Sequence, residues 1–330
     1  MSRSAFLVAL PADALSAVIP SEYVALLSFS GASEELLQAL AALFPQSPYK
    51  VAVLDTALCP SLPRLIKRAA EAGIPLIHIS PELSREAWKP KNFNAPFAAN
   101  VIAPGSPESG FIPSLAKNPL TSHLSWLAYQ TYLCAPKPLA LLQERFFSSL
   151  RLGAFREDFT AAEPLLRAQP VSYIDLRAVR HSDAPEIHSG PNGLYAEEAC
   201  QLARYIGMGS HCQACFIYGY PQKADSLRIV SALIAQILWQ LFEGLALRRQ
   251  EDPSRPEQKG FFVLKEVCFG DNGQTVNFLQ STQTKRWWIE VPCYTGEKAF
   301  IPCSQQAYTQ SLKGEIPLIW LHSYQKFSCK

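Results

Sequence analysis

The chain has 330 residues, 48% of them hydrophobic and 18% charged, with a formal net charge of +2. That is enough for one large α/β domain spanning 1–330. The near-balanced charge, with no basic run longer than two residues, argues against nucleic acid or another polyanion as partner. The N-terminal apolar run 5–10 is stopped by Pro11 and Asp13, short of the ~7 residues of a secretory h-region. Nine cysteines, an odd count without framework spacing, read as reduced thiols. Together these features predict a cytoplasmic protein. Apolar runs at 23–28, 50–54 and 74–79 read as buried parallel strands. Between them, 33–43 (with Ser33 as cap) and 62–72 read as helices. This alternation predicts a mainly parallel sheet covered on both faces. Residues 85–120 are proline-rich and loop-like, apart from a short strand at 99–103. The apolar run 124–151 reads as two helices broken at Ala135-Pro136. Further on come a strand at 215–220 and a long helix at 226–249 with Ser226 as its cap. Its most apolar part, 229–247, is the best candidate for a membrane span. Gln236, Gln240 and Glu243 interrupt it, so no membrane insertion is expected. A polar connector at 250–259 leads to strands at 261–269, 275–279 and 286–291 and a helix near 304–312.

The most informative segment is 172–207. It combines a buried strand, a loop rich in Asp, His, Gly, Pro and Asn, and a helix, which is the βα unit of an open α/β sheet. Ligands of such sheets sit at the carboxyl ends of the strands, where Asp175 and Arg177 fall. The segment contains Tyr173-Ile174-Asp175, Ser182-Asp183-Ala184-Pro185 and Gly190-Pro191-Asn192-Gly193-Leu194-Tyr195. In these the segment resembles the ureohydrolase family of arginases, agmatinases and formimidoylglutamases. It is most similar to a divergent formimidoylglutamase-like branch of Bacteroidetes. Tyr129-Gln130-Thr131-Tyr132, Arg151-Leu152-Gly153, Glu163-Pro164 with Arg167, Arg286-Trp287-Trp288 and Ile301-Pro302-Cys303-Ser304 match the same branch. The resemblance is clear over 121–330 and weak over 1–120. It implies a three-layer α/β/α ureohydrolase (arginase-like) fold.

It also implies a site in which hydroxide bridging two Mn²⁺ ions attacks a guanidinium or formimino carbon. Two adjacent dications repel, so such a site needs several carboxylates and a pair of imidazoles. The family supplies them in the motifs G-G-x-H, D-A-H-x-D and S-x-D-x-D, with a later Glu toward the substrate. On this chain the first motif maps onto Ile77-His78-Ile79-Ser80-Pro81, with Pro81 at the ligand histidine. The second maps onto Ala103-Pro104-Gly105-Ser106-Pro107, with Ala103, Gly105 and Pro107 where Asp, His and Asp are needed. The third keeps Asp175 but has Arg177 at its second acid, and Gly219 stands at the later Glu. Only Asp175 remains as a surviving ligand position, so no metal, no cofactor and no catalytic residue are expected. A guanidinium beside the site would itself repel a dication. Two readings of Arg177 stay open. It pairs with Asp175 in place of the metal, or it points to solvent while Asp175 caps a loop.

His181, Asp183 and His188 share one loop and could build a small metal or anion site, or simply a polar surface. Cys212 and Cys215 form a lone CxxC, read as structural because Cys215 opens an apolar strand. Trp287-Trp288 either presents one ring to a partner or packs both. The residual pocket is therefore expected to hold Asp175, Arg177, His181, Asp183, His188, Asn192 and Gly219. The resemblance, stripped of its metal ligands, implies a non-catalytic protein that binds a small molecule in the old pocket or a protein partner, with an accessory role in a secretion or gliding assembly. The alternative is a manganese-dependent hydrolase of linear amidines.

Overall fold

Side chains of a β-strand point alternately to its two faces, so a strand buried on both sides must be apolar throughout. The computed structural model describes residues 6–10, 22–31, 34–54, 61–89, 92–93, 97–220, 227–269 and 274–328. Its elements run β1 (Leu7–Leu10), β2 (Tyr23–Phe29), α1 (Glu34–Ala41), β3 (Lys50–Leu54), α2 (Leu62–Ala72), β4 (Leu76–Ser80), β5 (Phe97–Ile102), α3 (Phe111–Lys117), β6 (Thr121–Tyr129), α4 (Pro136–Glu144), β7 (Ser148–Arg151), α5 (Leu152–Glu157) and α6 (Ala162–Arg167). There follow β8 (Val171–Asp175), α7 (Ala196–Gly207), β9 (Ala214–Tyr218), α8 (Ile229–Leu247), β10 (Phe262–Phe269), β11 (Gln274–Ser281), β12 (Trp287–Pro292), β13 (Lys298–Cys303), α9 (Gln305–Ser311) and α10 (Leu318–Ser328).

Nine strands make one sheet in the order β1-β3-β2-β4-β9-β8-β5-β6-β7, every neighbouring pair parallel. Leu76, Ala214 and Phe216 join the core on one face, with α2, α3 and α4. Ile77, Cys215 and Ile217 join the core on the other, with α1, α5, α6, α7 and α8. This is the expected three-layer α/β/α arrangement with a mainly parallel sheet. The remaining four strands form a separate antiparallel sheet, β10-β11-β12-β13, with α9 and α10 packed on a third core around Phe278 and Ile289.

Local chemistry explains the boundaries. Helix α2 has Pro63 in its first turn, where no backbone donor is needed, and Gly73 closes it in the left-handed region at φ +67°. Helices α7 and α8 cross closely because Gly207 meets Gly244. A Cβ on Gly207 would lie 2.2 Å from the Leu241 carbonyl oxygen, and one on Gly244 2.6 Å from the Arg204 oxygen. Helix α8 is long and apolar enough to cross a membrane by length and composition, with mean hydropathy 1.6, but 67% of that stretch is buried within the fold. Its buried Glu243 accepts hydrogen bonds from the Gln46 amide (2.7 Å) and the Ser47 hydroxyl (3.3 Å).

Several sequence expectations need correction. The run 124–151 is not two α-helices: β6 and β7 are parallel strands, joined by a 3-10 turn at Thr131–Leu133 and by α4, which starts just after Ala135. A nine-residue strand buried on both faces has the same apolar run as a core helix, and periodicity does not separate them. The expected loop 85–120 contains α3 as well as β5. Strand β13 and helix α10 have no counterpart among the expectations. The caps placed at Ser33 and Ser226 lie outside the described residues. Trp287 and Trp288 are both buried, so neither ring is free for a partner. The seven described cysteines are free, and burial pushes Cys212 up to about 12 and raises Cys215 as well.

The two sheets are fastened by charges from two of the resembling motifs. Arg167 on α6 pairs with Glu163 (2.9 Å), donates to the Trp287 carbonyl (2.7 Å) and lies 4.4 Å over the Trp288 ring. Arg286 pairs with Glu163 (3.0 Å) and reaches Glu251 (3.9 Å), which the Ser281 and Thr284 hydroxyls also hold. Both arginines are buried. Burial lowers the pKa of Arg286 while Glu163 holds it up.

Candidate functional site

Strands β4, β9, β8 and β5 end side by side in mid-sheet. The chain passes from β4 to β5 and returns later to fill the gap with β8 and β9. Such a reversal of strand order opens a crevice beyond the carboxyl ends. Here it is an open cleft of about 1040 Å³. Its floor and walls include Pro81 and Glu82 after β4, Ala103, Gly105, Ser106 and Pro107 after β5, Asp175 and Arg177 at β8, and Tyr218 and Gly219 at β9. The positions mapped from the sequence onto the three motifs thus share one cavity, although they come from four strands.

Asp175 is the last residue of β8 and is 5% exposed. Its Oδ1 accepts from the Arg177 amide (3.0 Å) and Nε (2.8 Å), and its Oδ2 accepts from Arg177 Nη2 (2.7 Å). The pair is bidentate, the strong geometry for a guanidinium on a carboxylate. Arg177 itself is 53% exposed. Both readings of Arg177 therefore hold at once: it pairs with Asp175, it remains half in solvent, and Asp175 caps the turn that follows. The bond to Asp175 raises the Arg177 pKa further. Burial, and after it the Asp175 charge, pushes the Tyr218 phenol well up. Gly219 has φ +93°, and a Cβ there would stand 3.5 Å from Asp175 Oδ1. A side chain at 219 would be strained by that backbone conformation, while its Cβ would meet the carboxylate only in van der Waals contact.

The rest of the lining is aromatic and acidic. Trp88, Phe111 and Tyr218 form a run of edge and tilted contacts with centroids 6.3 and 6.2 Å apart. Glu82 and Glu186 add two carboxylates, and exposed His188 sits at the rim. Trp88, Phe111 and Glu186 have no motif in the sequence to mark them. They reach the cleft from a short 3-10 turn, a seven-residue helix and the loop after β8.

Three expected site residues lie elsewhere. His181 is exposed, and its amide donates to the Gly190 carbonyl (2.9 Å) outside the cleft. Asp183 accepts from Arg180 Nε (2.7 Å) and from the Ala196 amide (2.9 Å), so it caps α7. Those partners hold its carboxyl below the usual range, against a desolvation effect of opposite sign. His181, Asp183 and His188 therefore do not form one site. Asn192 lines a second cavity, at the ends of β6 and β7.

The donor set does not fit a dinuclear manganese centre. Pro81, Ala103, Gly105, Pro107 and Gly219 offer no side-chain ligand, and Asp175 is already committed to a guanidinium. Among the described residues no group of three or more His, Cys, Asp or Glu side chains could hold a metal ion. His78, within the stretch mapped to the first motif but three residues before its ligand position, is buried in the sheet with its ring between the hydroxyls of Ser28 (2.9 Å) and Ser30 (3.2 Å). Burial lowers its pKa to about 4.

No protein-family model matches the chain, and no curated protein sequence does. Solved structures do. Formiminoglutamase of Trypanosoma cruzi, crystallised with Mn²⁺, aligns at TM-score 0.57 and 13% identity over 72% of this chain and 98% of that one. Formimidoylglutamase of Bacillus subtilis aligns at 0.59 and 14% over 75% and 92%. An arginase superfamily protein of Trypanosoma cruzi aligns at 0.56 and 12% over 72% and 98%. The likeness is one of fold.

Proposed function

We propose that this chain, whose fold is that of the ureohydrolases, is a binding protein that holds a small cationic ligand in its cleft and does not hydrolyse carbon–nitrogen bonds. One observation carries the reading. The positions that would supply metal ligands line one cavity, and there they present proline, alanine and glycine, while Arg177 takes the remaining carboxylate. Among the described residues of the lining, three carboxylates, Glu82, Asp175 and Glu186, stand against the guanidinium of Arg177. Aromatic faces at Trp88, Phe111 and Tyr218 suit a desolvated cation. An ammonium, guanidinium or amidinium group meets both demands. Arg177 already occupies the place of such a group, so an incoming guanidinium would compete with it for Asp175. In keeping with the resemblance, we place the protein in the cytoplasm as an accessory of a larger assembly. A protein partner is part of that reading.

The likeness in fold to structures solved with Mn²⁺ favours a second reading, a manganese-dependent hydrolase of linear amidines. Elemental analysis of protein expressed with Mn²⁺ supplied, paired with an assay for formamide or urea release, separates the two. The expected outcome is substoichiometric manganese, no release, and a raised unfolding temperature with agmatine or a simple amidine. Stoichiometric manganese with metal-dependent release would establish the hydrolase instead.

A further inference from the structure

A second cavity, of about 330 Å³, opens on the same carboxyl edge of the large sheet, beyond β6 and β7. We infer that it binds a small oxyanion, a carboxylate or a phosphate, with Arg151 as the charged contact.

Three segments meet there, one after β6, one at the end of β7 and one in the loop before α7. Each carries a motif that the cleft does not use: Gln130 to Tyr132, Arg151 to Gly153, and Asn192. Buried Gln130 fastens them. Its Nε2 donates to the Asn192 carbonyl (3.0 Å), and its Oε1 accepts from the Tyr132 hydroxyl. Asn192 Nδ2 in turn lies 3.4 Å from that hydroxyl. The backbone is bent to reach this arrangement. Ala128 stands at φ +61°, and the β6–β7 register shifts between Leu127 and Tyr129. A non-glycine residue in that region is strained, so the surrounding contacts must hold it there.

The charge of the cavity is opposite to that of the cleft. Among the described residues its lining holds Arg151 and Arg156 and no acid. Arg156 is neutralised by Glu198 (3.1 Å), bonded to the Gly193 carbonyl (2.7 Å) and laid over the Tyr195 ring (4.4 Å). The Arg151 side chain is exposed and has no ionic or hydrogen-bonded partner among the described residues, and its guanidinium carbon lies 4.0 Å from where a Gly153 side chain would begin. An uncompensated planar fork beside a residue without a side chain leaves room for a flat or tetrahedral oxyanion. Tyr132, 70% exposed, offers an apolar wall for the body that carries it.

The test is calorimetric titration of the full-length protein with two probes, glutarate and inorganic phosphate. Glutarate carries no amine and so has no call on the acidic cleft. Saturable binding of either probe is expected. It should weaken at least about tenfold in Arg151→Gln, weaken less in Arg151→Lys, and persist in Arg64→Gln, which removes an exposed arginine on α2. Tighter glutarate marks an organic carboxylate, and tighter phosphate a phosphate ester. Unfolding midpoints without probe show whether each variant is folded. Absence of saturable binding by both probes, or binding that survives Arg151→Gln unchanged, would overturn the assignment.

Discussion

At the scale of single residues, the Asp175–Arg177 pair dominates the electrostatics of the cleft. Orphaning one member of a fully buried pair usually costs about 3–5 kcal/mol. Arg177 is half exposed, and Asp175 also accepts the Arg177 amide, so solvent and backbone share the carboxylate. Arg177→Ala should therefore destabilise by only about 1–2 kcal/mol. Asp175→Asn combined with Arg177→Ala should recover part of that loss. Urea denaturation of the three proteins checks this, and a single variant as stable as the parent would leave Arg177 a merely solvated side chain. Asp175 and Arg177 were legible in the sequence because the motif around them is local and ends a strand. Gly219 and the four replaced ligands were legible only as gaps in a pattern. Trp88, Phe111 and Glu186 were not, since no local spacing marks a residue that long-range folding brings to a cleft. His181 and Asn192 show the converse: proximity in sequence to Asp175 did not place them beside it.

At the scale of elements, the strands with short continuous apolar runs, β2, β3, β4, β8 and β9, were legible from that run and their polar flanks. Strand β6 was not, because a nine-residue, mostly buried run without Asp, Glu, Lys or Arg can satisfy a helix pattern equally well. Helix α3 was hidden by its brevity and by Pro113, which it tolerates in the first turn. The crossing of α7 and α8 illustrates what patterning alone misses. Gly207 and Gly244 look like weak points in two helices, yet each is where the partner's backbone passes. Gly244→Ala adds a methyl group that intrinsic helix propensity would favour by about 1 kcal/mol. The contact at 2.6 Å with a carbonyl oxygen reverses the sign. The expected result is a net loss of about 1–3 kcal/mol by chemical denaturation. An alanine variant more stable than the parent would show that the helices can move apart without cost.

At the scale of the whole molecule, two sheets of opposite character meet through Glu163, Arg167, Arg286 and Glu251. The motif residues Glu163, Arg167 and Arg286 carried a resemblance without a visible task, and the structure gives them one. Arg286→Ala removes the cation that faces both acids; Glu163 keeps Arg167 and Glu251 keeps its two hydroxyl donors, so the expected cost is about 1–3 kcal/mol. The antiparallel sheet should then part from the parallel one before global unfolding. Limited proteolysis should show this as faster cleavage in the polar connector 250–259. An unchanged cleavage rate at that connector would mean that Trp288 and the apolar contacts hold the sheets together without the ion network.

The strand order has a consequence for how the chain reaches this state. Strand β4 is paired on one side with β2, but its other edge waits for β9, Leu76 meeting Ala214 and Ser80 meeting Tyr218. Well over a hundred residues must be made between the two. During synthesis the early half of the sheet carries an open parallel edge and an uncovered apolar face until α7, β9 and α8 emerge. Parallel pairing across such a loop is slow and exposed to aggregation. A nascent chain released before β9 should stick to its own kind or to a chaperone, whereas one released after α8 should not. The same late closure that builds the cleft between β4 and β5 makes it the last part of the parallel sheet to be assembled.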